Sequence, residues 1–290
     1  MVTANQVKGV SFTVISQVAW GILPVYWKLL AQVNSLSILA FRILCSFLLI
    51  LGIFLPQRNT RWLRILAEPG RRLIIAAAAG LVTCNWGLYI WAINAGHTVE
   101  SSLGYYINPL VSIVLGLIFF QERLSRIQWT AFGFAAAGVA LLTFFSGAFP
   151  WISLGLALSF GFYGLCKKKA AAGSLETLGA ETLLAAPLAL LLILLRPGAL
   201  DELGALSPGL WVLLIFSGAV TALPLYCFAR GAKLLPLSAL GFIQFVNPTI
   251  LLITGVFIFK EPFPVRNLLA FALIWAAVFL YSISFLRRKP

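Results

Sequence analysis

Read for runs of apolar side chains, the chain divides into ten stretches separated by short polar segments. They cover about 9 to 30, 36 to 55, 72 to 94, 101 to 120 and 127 to 146 in the first half, and 149 to 166, 175 to 195, 209 to 229, 237 to 259 and 265 to 286 in the second. Each is close to the ~20 residues a helix needs to cross a hydrocarbon layer about 30 Å thick. Barrel strands are about half that length and alternate in polarity, which these runs do not, so the pattern predicts helices. The first run, from Gly9 to about Leu30, outlasts the apolar core of a signal peptide and is expected to remain as the first helix. The fold class expected is all-α, a polytopic membrane protein with ten transmembrane helices.

Composition removes the soluble alternatives. Apolar residues make up 61% of the chain and charged residues 10%, against roughly 25% charged in a soluble globular protein. The segments between runs are too short to hold a domain of ordinary size. A net charge of +13 would suit nucleic acid, but the basic residues sit between spans, so no nucleic-acid partner is expected. Of the 21 Lys and Arg, 16 fall on one side: Lys8; Arg58, Arg61, Arg64, Arg71 and Arg72; Arg123 and Arg126; Lys167, Lys168 and Lys169; Arg230 and Lys233; Arg287, Arg288 and Lys289. The other side holds Lys28, Arg196, Lys260 and Arg266, and Arg42 lies within a span. Basic residues accumulate on the cytoplasmic side, so both termini are expected there and the number of crossings is even. Cys45, Cys84, Cys166 and Cys227 each lie in a different span with no pair at metal-ligand spacing, and read as small core residues.

The halves resemble each other. An offset of 139 residues brings Asn108-Pro109 onto Asn247-Pro248, Gly116 onto Gly255, Phe120 onto Phe259 and Glu122 onto Glu261. The same offset sets Arg42 on Glu181, and the small pair Gly133 and Ala137 on Ala272 and Ala276. Gly80-x-Val82-Thr83 matches Gly218-x-Val220-Thr221 after a one-residue gap. Two repeats follow, 1–147 and 148–290, each of five helices. An odd number of crossings makes the second copy enter from the opposite face, so the repeats are inverted, an arrangement that lets secondary transporters expose one central site to alternate sides.

Specific stretches carry a family likeness across essentially the whole chain: Ala19-Trp20-Gly21-x2-Pro24-x-Tyr26-Trp27-Lys28-Leu29, Asn85-Trp86-x2-Tyr89-Ile90-Trp91-Ala92, and Glu100-x2-Leu103-Gly104-Tyr105-x-Ile107-Asn108-Pro109-Leu110. Tyr163-Gly164-Leu165-x-Lys167-Lys168, Glu181-Thr182-Leu183-Leu184, Val220-Thr221-Ala222-x-Pro224-Leu225 and Leu235-Pro236-Leu237-Ser238-x-Leu240-Gly241-Phe242 add to it. The sequence resembles the RarD branch of the EamA transporters, in the drug/metabolite transporter superfamily. In the second helix that family usually shows an acidic residue and a His-Arg pair. This chain reads Leu36, Phe41 and Arg42, so only the Arg carries over. The resemblance implies ten helices, a bacterial inner membrane, a central cavity lined mainly by helices 1, 3, 4, 6, 8 and 9, and export or exchange of small organic solutes. It also gives the closing helix of each repeat a role in scaffolding or in a homodimer contact.

Candidate chemistry lies where polar groups interrupt the spans. Arg42 and Glu181 are the deepest ionisable groups and need partners or water. They stand about 10 Å in from opposite faces at 1.5 Å per residue, too far apart for a mutual ion pair, and are candidates for gating or coupling, Glu181 as a proton carrier. Gln17, Gly21, Pro24 and Lys28 share one helical stripe beside Trp20 and Trp27, and Ser101, Tyr105, Asn108 and Ser112 another. Pro24, Pro109 and Pro248 are expected helix breaks, because each removes a donor and frees a carbonyl one turn back. With Asn85, Trp86, Tyr89, Trp91, Tyr163, Gln244 and Asn247 these residues would make an aromatic and amide cavity suited to amphipathic molecules. The plainer reading is interhelical hydrogen bonding and interfacial anchoring.

A secondary transporter is therefore the leading function, with membrane lipids and a small-molecule substrate as partners and no cofactor or metal. A channel or facilitative pore is the alternative. A membrane enzyme would need paired catalytic groups at depth, and of the eight acids only Glu181 lies deep; a Walker-type loop is also lacking. His97, the sole histidine, falls in a short loop near Glu100.

Overall fold

The structure, a computed structural model, describes residues 3–146, 150–260 and 265–286. Glu261, Arg287, Arg288, Lys289 and the proposed 147/148 repeat boundary lie outside the described residues, as does the side chain of Arg266.

Helices α1 (Ala4–Leu29) and α2 (Ser35–Phe54) are followed by short α3 (Arg61–Ala67), then α4 (Pro69–Asn94), α5 (Thr98–Phe119) and α6 (Arg126–Ser146). The second half holds α7 (Trp151–Lys169), α8 (Ser174–Leu195), short α9 (Ala199–Gly204), α10 (Pro208–Leu234), α11 (Leu237–Gln244), α12 (Val246–Ile253) and α13 (Leu268–Leu286). Lipid offers no hydrogen bonds to a peptide, so spanning segments must satisfy their backbone internally. Local signals start several of them. Thr3 and Gln6 form a reciprocal capping box at α1, Asn34 Oδ1 accepts from Leu36 N–H at 2.9 Å ahead of α2, and proline occupies the first turn of α4 and α10.

Among the described residues nine helices are long and apolar enough to cross a membrane, Leu237–Ile258 counting as one. The tenth expected span, α7, forms a 19-residue helix that ends in Lys167, Lys168 and Lys169, and these lower its apolar content. Several boundaries differ by a few residues from expectation; α1 starts at Ala4, and α7 and α10 run on to Lys169 and Leu234, where Lys168 and Lys233 bond to backbone carbonyls.

The proline expectations divide. The run from Leu237 is interrupted at Phe245, one turn before Pro248, whose missing N–H leaves the Gln244 carbonyl without its helical donor, and a π turn follows at Thr254–Ile258. Pro24 and Pro109 do not break their helices; α1 and α5 run through them, as α8 and α10 do through Pro187 and Pro224. One lost bond is tolerated where neighbouring helices brace the chain. Asn108-Pro109 is the central pair of the 22-residue α5, and Asn247-Pro248 the central pair of the 22-residue run Leu237–Ile258.

The principal helix pairs come in reciprocal sets. Helix α5 packs on α7, and α1 on α11 and α12; α1 packs on α10, and α4 on α7; α2 packs on α10, and α4 on α8. Three further pairs, α2 with α8, α5 with α11, and α6 with α13, join equivalent helices of the two halves. A methyl group added at Gly21 would come within 2.6 Å of Ile250 Cβ, and one added at Gly161 within 2.6 Å of Val111 Cγ1, so corresponding glycines permit the two corresponding crossings. The small pair Gly133 and Ala137 is exposed and does not make the α6–α13 contact. That seam runs through Ala131, Ala135 and Gly138 against Ala270, Ile274 and Ala277, one helical face around.

At the end away from the lysine cluster, Glu202 ties the α1–α2 turn to the α8–α9 turn. It accepts from Asn34 N–H at 2.9 Å and from Arg196 Nη2 at 2.6 Å, and Arg196 also donates to Ser37 Oγ at 2.7 Å. Burial of Glu202 works against its charge, but the Asn34 N–H and the Arg196 guanidinium outweigh it and hold the carboxyl below the usual range. A depressed folded-state pKa stabilises fully above the unfolded pKa of about 4.3, and that contribution disappears as pH falls through the folded value. Glu202→Gln should lower the melting temperature of detergent-solubilised protein at pH 7 by roughly 1–3 °C. The gap from the parent should close as the pH is taken below the carboxylate range.

Candidate functional site

Arg42 lies two turns into α2, and its surroundings are aromatic. The guanidinium carbon is 4.6 Å from the ring centroids of both Trp27 on α1 and Trp86 on α4, and Nε donates to Thr221 Oγ1 on α10 at 3.0 Å. Among the described residues no carboxylate lies within ion-pairing distance of it. Tyr89 and Tyr105, edge to face at 5.9 Å, are within electrostatic reach of its charge. Partners on three other helices turn Arg42 inward, yet it stays only half-buried, as do Trp27, Trp86, Tyr89 and Tyr105. Side chains from α1, α2, α4, α5 and α10 thus gather around one guanidinium.

Glu181 stands at the matching position of α8 and is solved differently. It is buried, accepts from Lys167 Nζ at 2.7 Å and from Tyr163 Oη at 3.3 Å, and Lys167 donates also to Thr177 Oγ1 at 3.0 Å. As expected, Arg42 and Glu181 do not pair. Lys167, however, is no loop cation: it is fully buried, the third helix-embedded charge, and its place in a run of three lysines hid this. A cavity of about 20 Å³ beside Glu181, lined also by Ser46, Thr83, Trp86 and Thr182, has room for about one water.

Aligning α1 with α7 through Gly21 and Gly161 sets Trp27 on Lys167, an offset of 140. The positions that meet Arg42 and Glu181 are therefore the same in both halves. One half fills the pair with tryptophan and arginine, the other with lysine and glutamate, and Thr221 and Thr83 adjoin the two sites alike.

The remaining sequence candidates separate into packed and unpartnered groups. Asn85 donates to the Leu156 carbonyl at 2.9 Å and to Ser159 Oγ at 2.8 Å, binding α4 to α7. Tyr163 is fully buried and stacks on Phe228 at 6.0 Å; Trp20 meets Phe160 and Phe228 at 5.4 and 5.6 Å. These three make contacts between helices, Trp20 staying half-buried as Trp86 does. Gln17 is buried, and Lys28 is exposed over the Phe259 ring at 4.4 Å, so the helix 1 stripe does not face a cavity as a unit. Asn108 Oδ1, Ser112 Oγ, both amide atoms of Gln244 and Asn247 Oδ1 are buried with no protein partner. Buried polar groups are nearly always satisfied, and such exceptions point to water or ligand contact. His97 is bonded to Glu100 at 2.8 Å and stacks on Trp91.

The two halves are joined at the lysine-rich end. Glu122, just past α5, accepts from the N–H groups of Leu237 and Ser238 at 2.6 and 2.8 Å, capping α11, with Lys168 Nζ 3.8 Å away. Lys168 also donates to the Leu235 carbonyl, and Lys233 to that of Ala172.

Comparison with known proteins decides what this bundle is. The profile of the EamA-like transporter family matches twice, over residues 7–144 and 149–283. The chain belongs to the EamA-like transporter family. It is 45% identical to the transporter YojE of Bacillus subtilis over 290 residues, which covers 99% of this chain and 97% of YojE. Protein RarD of Escherichia coli K12 is 38% identical over 94% of this chain and 93% of its own, and the chloramphenicol-sensitive protein RarD of Pseudomonas aeruginosa is 33% identical over the same shares. These relatives set the chain in the RarD branch. One solved crystal structure superposes with a TM-score of 0.75 at 17% identity over 100% of both chains, a likeness of fold. This EamA protein is accordingly a multi-pass membrane transporter of small solutes, in contact with lipid.

Removing one member of a buried ion pair strands the other. Lys167→Met should destabilise the protein by about 3–5 kcal/mol, read as thermal or denaturant unfolding in detergent. The double variant Lys167→Met/Glu181→Leu should recover most of that loss.

Proposed function

We propose that this protein is a secondary transporter, an exporter or exchanger of small organic metabolites or drugs, working by alternating access. The reading takes the chain as two inverted five-helix repeats, with α7 as the tenth crossing, in a bacterial inner membrane with both termini cytoplasmic. The observation that carries it is reciprocity with a defect. The helix pairs match between halves and the Gly21 and Gly161 crossings are equivalent, but one matched pair is unequal. A methyl group at Gly218 of α10 would sit 2.4 Å from the Cys45 backbone of α2, whereas one at Gly80 of α4, the counterpart, would meet no atom within 4 Å. An inverted pair held in one conformation is expected to be tight at one site and loose at its twin, and exchange of those conformations is what moves the access path.

The solute path is assigned to the region around Arg42, Trp86, Tyr89 and Tyr105, continuing past Asn108 Oδ1, the amide of Gln244 and Asn247 Oδ1, which have no protein partner. Glu122 on the start of α11 serves as a latch at the lysine-rich end. Glu181, already neutralised by Lys167, acts as a structural post in this scheme, and Arg42 faces the solute.

Cysteines placed at Tyr105, Asn108 and Gln244 in a chain freed of its native cysteines should react with a membrane-impermeant thiol reagent, from one side of the membrane or the other according to state. In proteoliposomes, screening metabolites and drugs with and without a pH gradient should yield saturable uptake that Glu122→Gln slows at least several-fold. Protection of all three cysteines from both sides, or ohmic single-channel current in place of saturable uptake, would overturn alternating access.

A further inference from the structure

Resting on the transport reading, we infer that the Arg42 site selects organic anions, holding a carboxylate or similar monoanionic group on the guanidinium while the solute's apolar body lies against the aromatic side chains around it.

A cation inside a span is expensive and is normally paired with an acid or a backbone carbonyl. The structure pairs Lys167 with Glu181 in this way at 2.7 Å. Arg42 has the corresponding place in the other half and the corresponding neighbour, but the neighbour is Trp27, which cannot supply a negative charge. The two indoles at 4.6 Å offer cation–π attraction to the guanidinium faces and leave its edge unoccupied. Of the five guanidinium N–H donors, the one on Nε reaches Thr221, and neither Nη makes a hydrogen bond among the described residues.

What remains is a planar donor fork with a full positive charge, in a half-buried position. Guanidinium forks match carboxylates in geometry, and pairing removes the uncompensated charge. The groups around it extend the match. Trp27, Trp86, Tyr89 and Tyr105 offer apolar ring surface and two phenol hydroxyls, and no acid among them would repel an anion. A cationic solute would face Arg42 without any compensating carboxylate at this site. A neutral solute would leave the charge as it stands. An amphipathic anion alone improves both the electrostatics and the packing.

The test uses the full-length protein in nanodiscs and three probes differing only in head group: phenylacetate, phenylacetamide and phenethylamine. Phenylacetate should raise the melting temperature in a saturable way, and the amide and amine should bind at least about tenfold more weakly, the range of a charge-assisted hydrogen bond. Arg42→Gln should abolish the preference and Arg42→Lys should retain part of it, since the charge stays and the fork is lost. Should Arg42→Gln fail to fold, the head-group ranking on the parent protein and on Thr221→Val decides the matter alone. Equal response to the three probes, preference for the amine, or no response to phenylacetate at millimolar concentration overturns the assignment. The transport reading fails separately: saturable flux of neutral solutes without an anion preference leaves it intact, whereas phenylacetate binding with no flux of any solute in proteoliposomes removes it and keeps the anion site.

Discussion

Every polar group placed inside this protein has to be answered by the protein itself or by what it carries, because hydrocarbon answers nothing. Backbone groups are answered by helix formation. Side chains are answered one at a time: Asn85 by a carbonyl and a hydroxyl of α7, Glu181 by Lys167 and Tyr163, Tyr106 by the Pro248 carbonyl at 3.0 Å. Against that background the unanswered groups stand out. Within the spans they include Asn108 Oδ1, Ser112 Oγ, both amide atoms of Gln244 and Asn247 Oδ1, and the Nη atoms of Arg42 make no hydrogen bond among the described residues. A protein that only spanned would have no use for them.

The helical plan was legible from run length alone, because the bilayer sets one scale for every span. Nine of the ten expected runs have span-like length and polarity, and the tenth is a helix all the same. Signals with more than one physical outcome were less readable. A Lys at the end of an apolar run snorkels to water or turns inward to an acid, and the sequence around Lys167, in a run of three, favours the first choice. The structure takes the second, because Glu181 is one helix away. Proline in a span was over-read for a related reason: the residue dictates a missing donor, while the surroundings decide whether the helix yields. It yields before Pro248 and not at Pro24 or Pro109. Gly133 and Ala137 carried a small-residue spacing without being at a contact, and Gly138, with no partner in that pattern, makes the approach to the Ala270 carbonyl.

Of the candidate site, the residue types were readable and their sorting was not. Tryptophan, tyrosine and asparagine in a span serve equally to interlock helices and to line a space. Trp20 and Tyr163 were indistinguishable by pattern from Trp86 and Tyr105. The difference lies in what stands opposite them. Phe160 and Phe228 pack against the first two, while the second two stand beside an arginine.

Duplication brings a constraint that points the same way. On the proposed reading of two five-helix copies, identical sequences would give identical closures at both ends and a symmetric molecule without a preferred opening. Departures from symmetry are where the copies divide their labour. Gly218 is tight against α2 while Gly80 is loose, which distinguishes the two closures in one conformation. The exchange of Trp27 and Arg42 for Lys167 and Glu181 is a chemical difference and persists in every conformation. The second half holds a neutral ion pair, and the first holds a positive charge with no acidic partner among the described residues. In the proposed alternating-access scheme, a rearrangement of the bundle would alter the surroundings of Arg42 more than those of the Lys167–Glu181 pair, and a solute bound at Arg42 would then interact differently with the two access states, which is the physical requirement for coupling solute to conformation.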